Sequence, residues 1–179
     1  MRTKCRLAFL AVLSVLALVA LARSTTGPRA ASEDSMDDRC RTEVEQLHEF
    51  FVGWMGGTLE ADPDTFRRLD DVLASEFEMI SPDGALISRD QLAAGLLPAH
   101  GVHAGRSRPF RIRIANYRGC SMGKTMHLAT YEEWQVIDGE TRGRLSTALF
   151  RNRKGTPNGV EWVHLHETWM PGSMQEAGR

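Results

Sequence analysis

Two turn pairs, Asp138-Gly139 and Asn158-Gly159, cut the C-terminal third of the chain into long β-forming segments over 125–137, 144–151 and 160–169. Asx-Gly pairs suit tight hairpins because both central residues tolerate positive φ. The flanking segments are rich in β-branched and aromatic residues, so the pattern predicts an antiparallel run of strands. A further strand over 110–114 precedes them, with Phe110, Ile112 and Ile114 alternating against Arg111 and Arg113. A sheet of this size must bury one face against other elements.

The N-terminal half supplies the cover. Val44, Leu47, Phe51, Trp54 and Met55 recur at helical spacing, which predicts an amphipathic helix over 38–55 stopped by Gly56-Gly57. Asp64 or Thr65 is the expected cap of a second helix, with Phe66, Leu69, Val72 and Leu73 on its inner face. A short extended pair follows over 77–80 and 85–87, joined by the turn Ser81-Pro82-Asp83-Gly84. Ser88-Arg89-Asp90-Gln91 reads as a capping box opening a helix through Leu97, which Pro98 ends. The stretch 99–108 is a Gly-containing loop suited to a rim or lid. The expected class is therefore α+β, a curled antiparallel sheet with about three helices on its concave side.

Arg2, Lys4 and Arg6 precede an apolar run from Leu7 to Ala22 that closes on Ala20-Leu21-Ala22. This is the pattern of a cleavable secretory signal over 1–22. The alternatives are an uncleaved membrane anchor and, because RSTTGPRAAS is free of acids, an organelle signal. Residues 23–37 read as a flexible leader, 38–172 as the domain and 173–179 as a disordered tail. The first 32 residues hold five basic residues and no acid; beyond them, 17 basic residues face 23 acidic ones. That balance argues against a nucleic-acid partner. Export would leave Cys40 and Cys120, either bridged or as two free thiols.

Taken together, EVEQLHEFFVGW, FEMISPDGALISRDQL, LATYEEWQ, RLSTALFR and NGVEWVHLHETW, in this order, resemble the nuclear transport factor 2-like superfamily, in particular its SnoaL-like and "domain of unknown function 4440" branches. The resemblance covers about 40–170. It implies a cone whose mouth opens into an apolar pocket, and a sheet face that often forms homodimers. Catalytic members often use an Asp or a His-Asp dyad in the pocket. Here no Asp lies within the late strands, so that pair does not carry over.

Strict alternation puts Trp162, His164, His166 and Thr168 on one face of the last strand and Val163, Leu165, Glu167 and Trp169 on the other. The face with two imidazoles needs polar partners, which assigns His166 to the pocket with Arg144 and Ser146 from the neighbouring strand. A metal would need a third ligand that no His or Cys spacing supplies, so neither metal nor cofactor is expected. Arg144 is a candidate to hold a ligand carboxylate, or to pair with Glu132, Glu133 or Glu161. Tyr131, Glu133 and Trp134 form a polar-aromatic cluster of the kind that usually pairs its polar tips in the core; Glu133 is the candidate general base and a fourth pocket member, which a bulge would exchange for Glu132. Trp54, with Phe50, Phe51 and Met55, would roof the cavity or simply fill the core, with His48 beside them. His100 and His103 are expected in solvent.

The expected function is an exported domain binding a small apolar or carboxylated molecule. The alternatives are a cofactor-free isomerase, dehydratase or cyclase using His166 and Glu133, and an oligomerising partner module. Membrane contact is expected only if the signal stays attached. Secreted protein should begin at Arg23 or later by N-terminal sequencing; intact Met1 in a membrane fraction would contradict cleavage.

Overall fold

The computed structural model describes residues 35–172. The expected signal, most of the leader and the tail lie outside the described residues. Helix α1 spans Met36–Gly56 and so begins within the expected leader. Ser35 caps it, its hydroxyl accepting from the Asp38 amide, and Asp37 and Asp38 sit in the positive first turn. Gly57 ends it in the left-handed conformation (φ 71°).

Helix α2 spans Pro63–Asp70. Its cap is Asp62, not Asp64 or Thr65: the Asp62 carboxylate accepts from the Thr65 amide at 2.8 Å, and Pro63 takes the first helical position, where no amide is needed. Val72 and Leu73 fall beyond its end, and Leu73 opens strand β1 (Leu73–Ile80). Strand β2 is Leu86–Ser88, and Ser88 caps helix α3 (Arg89–Leu96) through the expected box with Gln91. A 3-10 turn, Leu97–Ala99, follows.

The long strands are β3 (Arg111–Met122), β4 (Met126–Ile137), β5 (Glu140–Asn152) and β6 (Val160–Trp169). Asp138 (φ 55°) and Gly139 (φ 90°) form the two-residue β4–β5 turn. Strand β3 runs eight residues past its expected end. Asn116, at φ 52°, marks a bulge that breaks the alternation and hides the continuation from a period-two reading. The sheet order is β2-β1-β6-β5-β4-β3. It departs from a wholly antiparallel sheet in one pairing, because β1 lies parallel to β6.

Helix α1 crosses β3, β4 and β6, and α3 packs on β1. The paired small residues Ala129 and Ala148, both fully buried, put no bulk on the sheet's inner face beneath the helices. Around them Phe150 and Trp162 meet with ring centres 4.5 Å apart. At the far end of α1, Trp54 packs on Phe66 at 5.0 Å. Glu43 is wholly buried on α1 and accepts from Arg68 of α2 (2.9 and 3.0 Å), Asn158 (2.8 Å) and the Trp162 indole (3.2 Å). One carboxylate thus ties two helices to the last hairpin.

Cys40 and Cys120 are free thiols: Cys40 is buried in the core and Cys120 is exposed on β3. Burial pushes the Cys40 thiol up to about 12, which makes it inert. A thiol reagent should therefore modify Cys120 in the native protein and Cys40 only after denaturation, as peptide mapping would read. Equal native rates would contradict this packing.

Candidate functional site

Between α1, α3 and the inner sheet face lies a cavity of about 260 Å³. Phe51 and Met55 of α1, Leu92 and Leu96 of α3, Phe110 and Leu165 give it apolar walls. One end is polar. There β4 contributes Tyr131, Glu133 and Gln135 on alternate positions, β5 contributes Arg144, β6 contributes Glu167 and α1 contributes His48.

Strand register explains the gathering. Glu133 is opposite Arg144, and Tyr131 is opposite Ser146, which in turn is opposite Glu167. The β5–β6 ladder slips by one residue between Leu149–His164 and Phe150–Trp162, leaving Val163 as a bulge. Trp162 therefore shares the inner face with Leu165 and Glu167 instead of with His164 and His166.

This corrects the expected face of the last strand. His166 is exposed opposite Thr147, and His164 is half-buried opposite Leu149; neither lines the cavity. Ser146 is fully buried beside Tyr131 but does not line the cavity. Trp54 is in the core, its indole N–H donating to the Leu96 carbonyl at 2.8 Å. Tyr131, Glu133 and Arg144 do line it, and continuous β4–β5 pairing keeps Glu133 inward while Glu132 bonds Asn116 and Trp134 away from the cavity. His100 and His103 are not simply solvated: His100 contacts the Leu59 carbonyl at 2.8 Å, and His103 lines the cavity against Phe110. Their loop is tied to the end of α1, Gly101 and His103 donating backbone amides to the Trp54 and Met55 carbonyls.

The polar end is a charge network. His48 Nδ1 lies 2.6 Å from the Val44 carbonyl, which leaves Nε2 facing Glu133 at 3.3 Å. Burial pushes the imidazole down, but the Glu133 carboxylate outweighs it and raises the group overall. Glu133 also accepts from Gln135 at 2.6 Å. Burial would push its carboxyl up; the charges of His48 and Arg144 reverse this and hold it at about 2. One Arg144 nitrogen lies 3.2 Å from Glu167 and 3.9 Å from Glu133. Burial and the Glu133 charge raise the Glu167 carboxyl to about 7. Tyr131 is held neutral by burial; its hydroxyl and that of Ser146 lie toward one another, and among the described residues neither has another hydrogen-bond partner.

Sequence reasoning missed Glu167 as a site residue and gave His48 only a supporting place. The available signal was that Glu167 shares its alternation with the apolar Val163 and Leu165, a face that the choice of the two histidines passed over.

Comparison with solved structures defines the class: this is a nuclear transport factor 2-like fold. An NTF2-like protein of unknown function from Pseudomonas aeruginosa is 23% identical, with TM-score 0.65, covering 74% of this chain and 98% of that one. An S. rosetta CaMKII hub is 12% identical at TM-score 0.57, covering 76% and 98%. The chain belongs to the sucrose-6-phosphate phosphohydrolase C-terminal family, whose pattern matches residues 40–171. Sucrose-phosphatase 2 of Nicotiana tabacum is 24% identical over 163 residues, 86% of this chain; the chain spans only 38% of that relative's length.

Raising Glu167 from the ordinary 4.5 to about 7 favours the folded state only while the group is protonated. That stabilisation is complete below 4.5 and is lost as pH rises through 7. Between about pH 5 and 8 the protein should therefore lose on the order of 1–3 kcal/mol of unfolding free energy relative to Glu167→Gln. Urea denaturation at both pH values reads this; parallel pH dependence in the two proteins would contradict it.

Proposed function

We propose that this domain binds a small, largely apolar molecule in the cavity, with the polar group of that molecule against the cluster at its polar end. The supporting observation is the pairing of apolar walls with buried, incompletely satisfied hydrogen-bonding groups in a single space of about 260 Å³. The sucrose phosphate of the relative's name is a poor match. A disaccharide would leave most of its hydroxyls against Phe, Leu and Met side chains, at a cost of a few kcal/mol for each one unpaired.

A second reading is acid–base catalysis. Its expected pair, His166 and Glu133, is not suited to it: His166 lies outside the cavity and Glu133 is held ionised. Glu167 is the group that favours this reading, since a cavity carboxyl at about 7 can give and take a proton near neutrality. Exchange of the α-hydrogens of a bound ketone for deuterium, lost in Glu167→Gln, would mark it. We further propose export through residues 1–22, and a homodimer through the outer sheet face that carries Leu145, Thr147 and Leu149. The presence of a CaMKII hub and a CaMKII association domain among the structural neighbours supports such assembly.

Filling the cavity tests the binding reading. Leu92→Trp and Leu96→Trp each place an indole in it and should weaken binding of a neutral apolar fluorophore at least tenfold, while thermal unfolding shifts by only a few degrees. A fluorophore that fails to bind the parent, or binds both variants as tightly, would overturn the reading.

A further inference from the structure

The charges around the cavity do not balance in every state of the cluster, and the imbalance specifies a ligand. The groups facing Glu167 are Glu133 and Tyr131 from β4, Arg144 from β5 and His48 from α1, with His103 in the loop at the cavity wall; β1 and α3 line the cavity with apolar side chains only. Arg144 carries positive charge and Glu133 negative charge, and the Glu133 carboxylate at 3.3 Å favours the protonated, cationic form of His48. A single guanidinium nitrogen serves both carboxyls, at 3.2 and 3.9 Å. Two buried acids sharing one half-buried cation resist ionising together. When Glu167 and His48 both hold protons, two cations face the single charge of Glu133 and the cluster keeps one uncompensated positive charge in a space with apolar walls, which is costly.

The unpartnered atoms point the same way. Among the described residues Arg144 Nε is buried without a hydrogen-bond partner, and the Tyr131 and Ser146 hydroxyls have no partner beyond one another. Arg144 Nε can only donate, and the two hydroxyls can donate. Tyr131 is 1% exposed and lines the cavity. Both acids of the cluster already accept hydrogen bonds or ion pairs from protein donors. What this end lacks is an acceptor that carries negative charge.

We propose that the cavity takes up a monocarboxylic acid with a compact apolar body, its carboxylate set against Arg144 and the Tyr131 hydroxyl, while Glu167 keeps a proton for as long as the ligand is bound. This rests on the binding reading above and deepens it. The carboxylate neutralises the surplus charge only in the protonated state; with Glu167 ionised, the same ligand brings an unpaired negative charge into the cavity. Binding and protonation are therefore linked. An engineered cavity of about 150 Å³ holds benzene, so this one has room for a body of roughly ten non-hydrogen atoms.

The test uses the whole protein and four probes of one size: 3-phenylpropanoate, its primary amide, 3-phenylpropylamine and propylbenzene. Titration calorimetry at pH 6 should give acid binding at least tenfold tighter than amide or amine. At pH 8, titrations in two buffers of different ionisation enthalpy should show uptake of close to one proton with the acid and none with the amide. Acid affinity should fall about tenfold per pH unit above 7. Glu167→Gln should still bind the acid, with no proton uptake and a flat profile from pH 6 to 9, and Arg144→Met should narrow the acid-to-amide ratio to within threefold. Propylbenzene bound without an advantage for the acid, or acid bound without proton uptake, would overturn the proposal and leave the cavity reading standing. Failure of all four probes to bind would overturn both.

Discussion

A single extra residue in β6 decides what this domain presents to its cavity. The bulge at Val163 lets Trp162 face the core on one side of it and Leu165 and Glu167 on the other. Because side chains alternate along a strand, any one-residue insertion exchanges the two faces beyond it. Without it, two imidazoles would enter the cavity and the acid would face outward. The ion pair of Arg144 with Glu167 and the raised carboxyl of Glu167 depend on that exchange.

The frame that holds the bulged strand is polar as well as apolar. Glu43 accepts from Arg68, Asn158 and Trp162, so α1, α2, the β5–β6 turn and β6 meet at one buried carboxylate. Arg39 extends the contact, donating to the Gly159 carbonyl at 2.9 Å and to Asn152 at 2.6 Å. Such a group is costly to bury alone and stable when fully bonded. The Ala129–Ala148 pair puts no bulk on the inner face where the helices pack, and the cavity lies farther along that face beside α3.

Much of this fold was legible in the residues, and the reasons are local. The Ser88–Gln91 box, the Gly57 stop and the Asp138-Gly139 turn each have chemistry that only one backbone geometry satisfies. Tyr131, Glu133 and Arg144 were found because β4 and β5 pair without interruption, so alternation carries from end to end. Glu167, His166 and His164 were misplaced because a bulge leaves no mark in composition: Val163 is an ordinary strand residue. Asn116 hid the length of β3 in the same way. The role of His48 was out of reach for a different reason, since its partner lies 85 positions away on another element. Trp54 was ambiguous at helical spacing, and a backbone carbonyl on α3 settled it.

Two carboxyls of the same residue type, bonded to one arginine, are driven in opposite directions by their surroundings. Glu133 has an imidazole and an amide to stabilise its charge; Glu167 has the charge of Glu133 to oppose its own. That asymmetry is what makes a structural ion-pair network a candidate for recognition or proton transfer. Carbon-13 NMR titration of the glutamate side-chain carboxyls observes it directly. The account predicts a midpoint near 7 for Glu167 and a Glu133 signal that stays ionised down to about 2. Ordinary titration of both near 4.5 would contradict it.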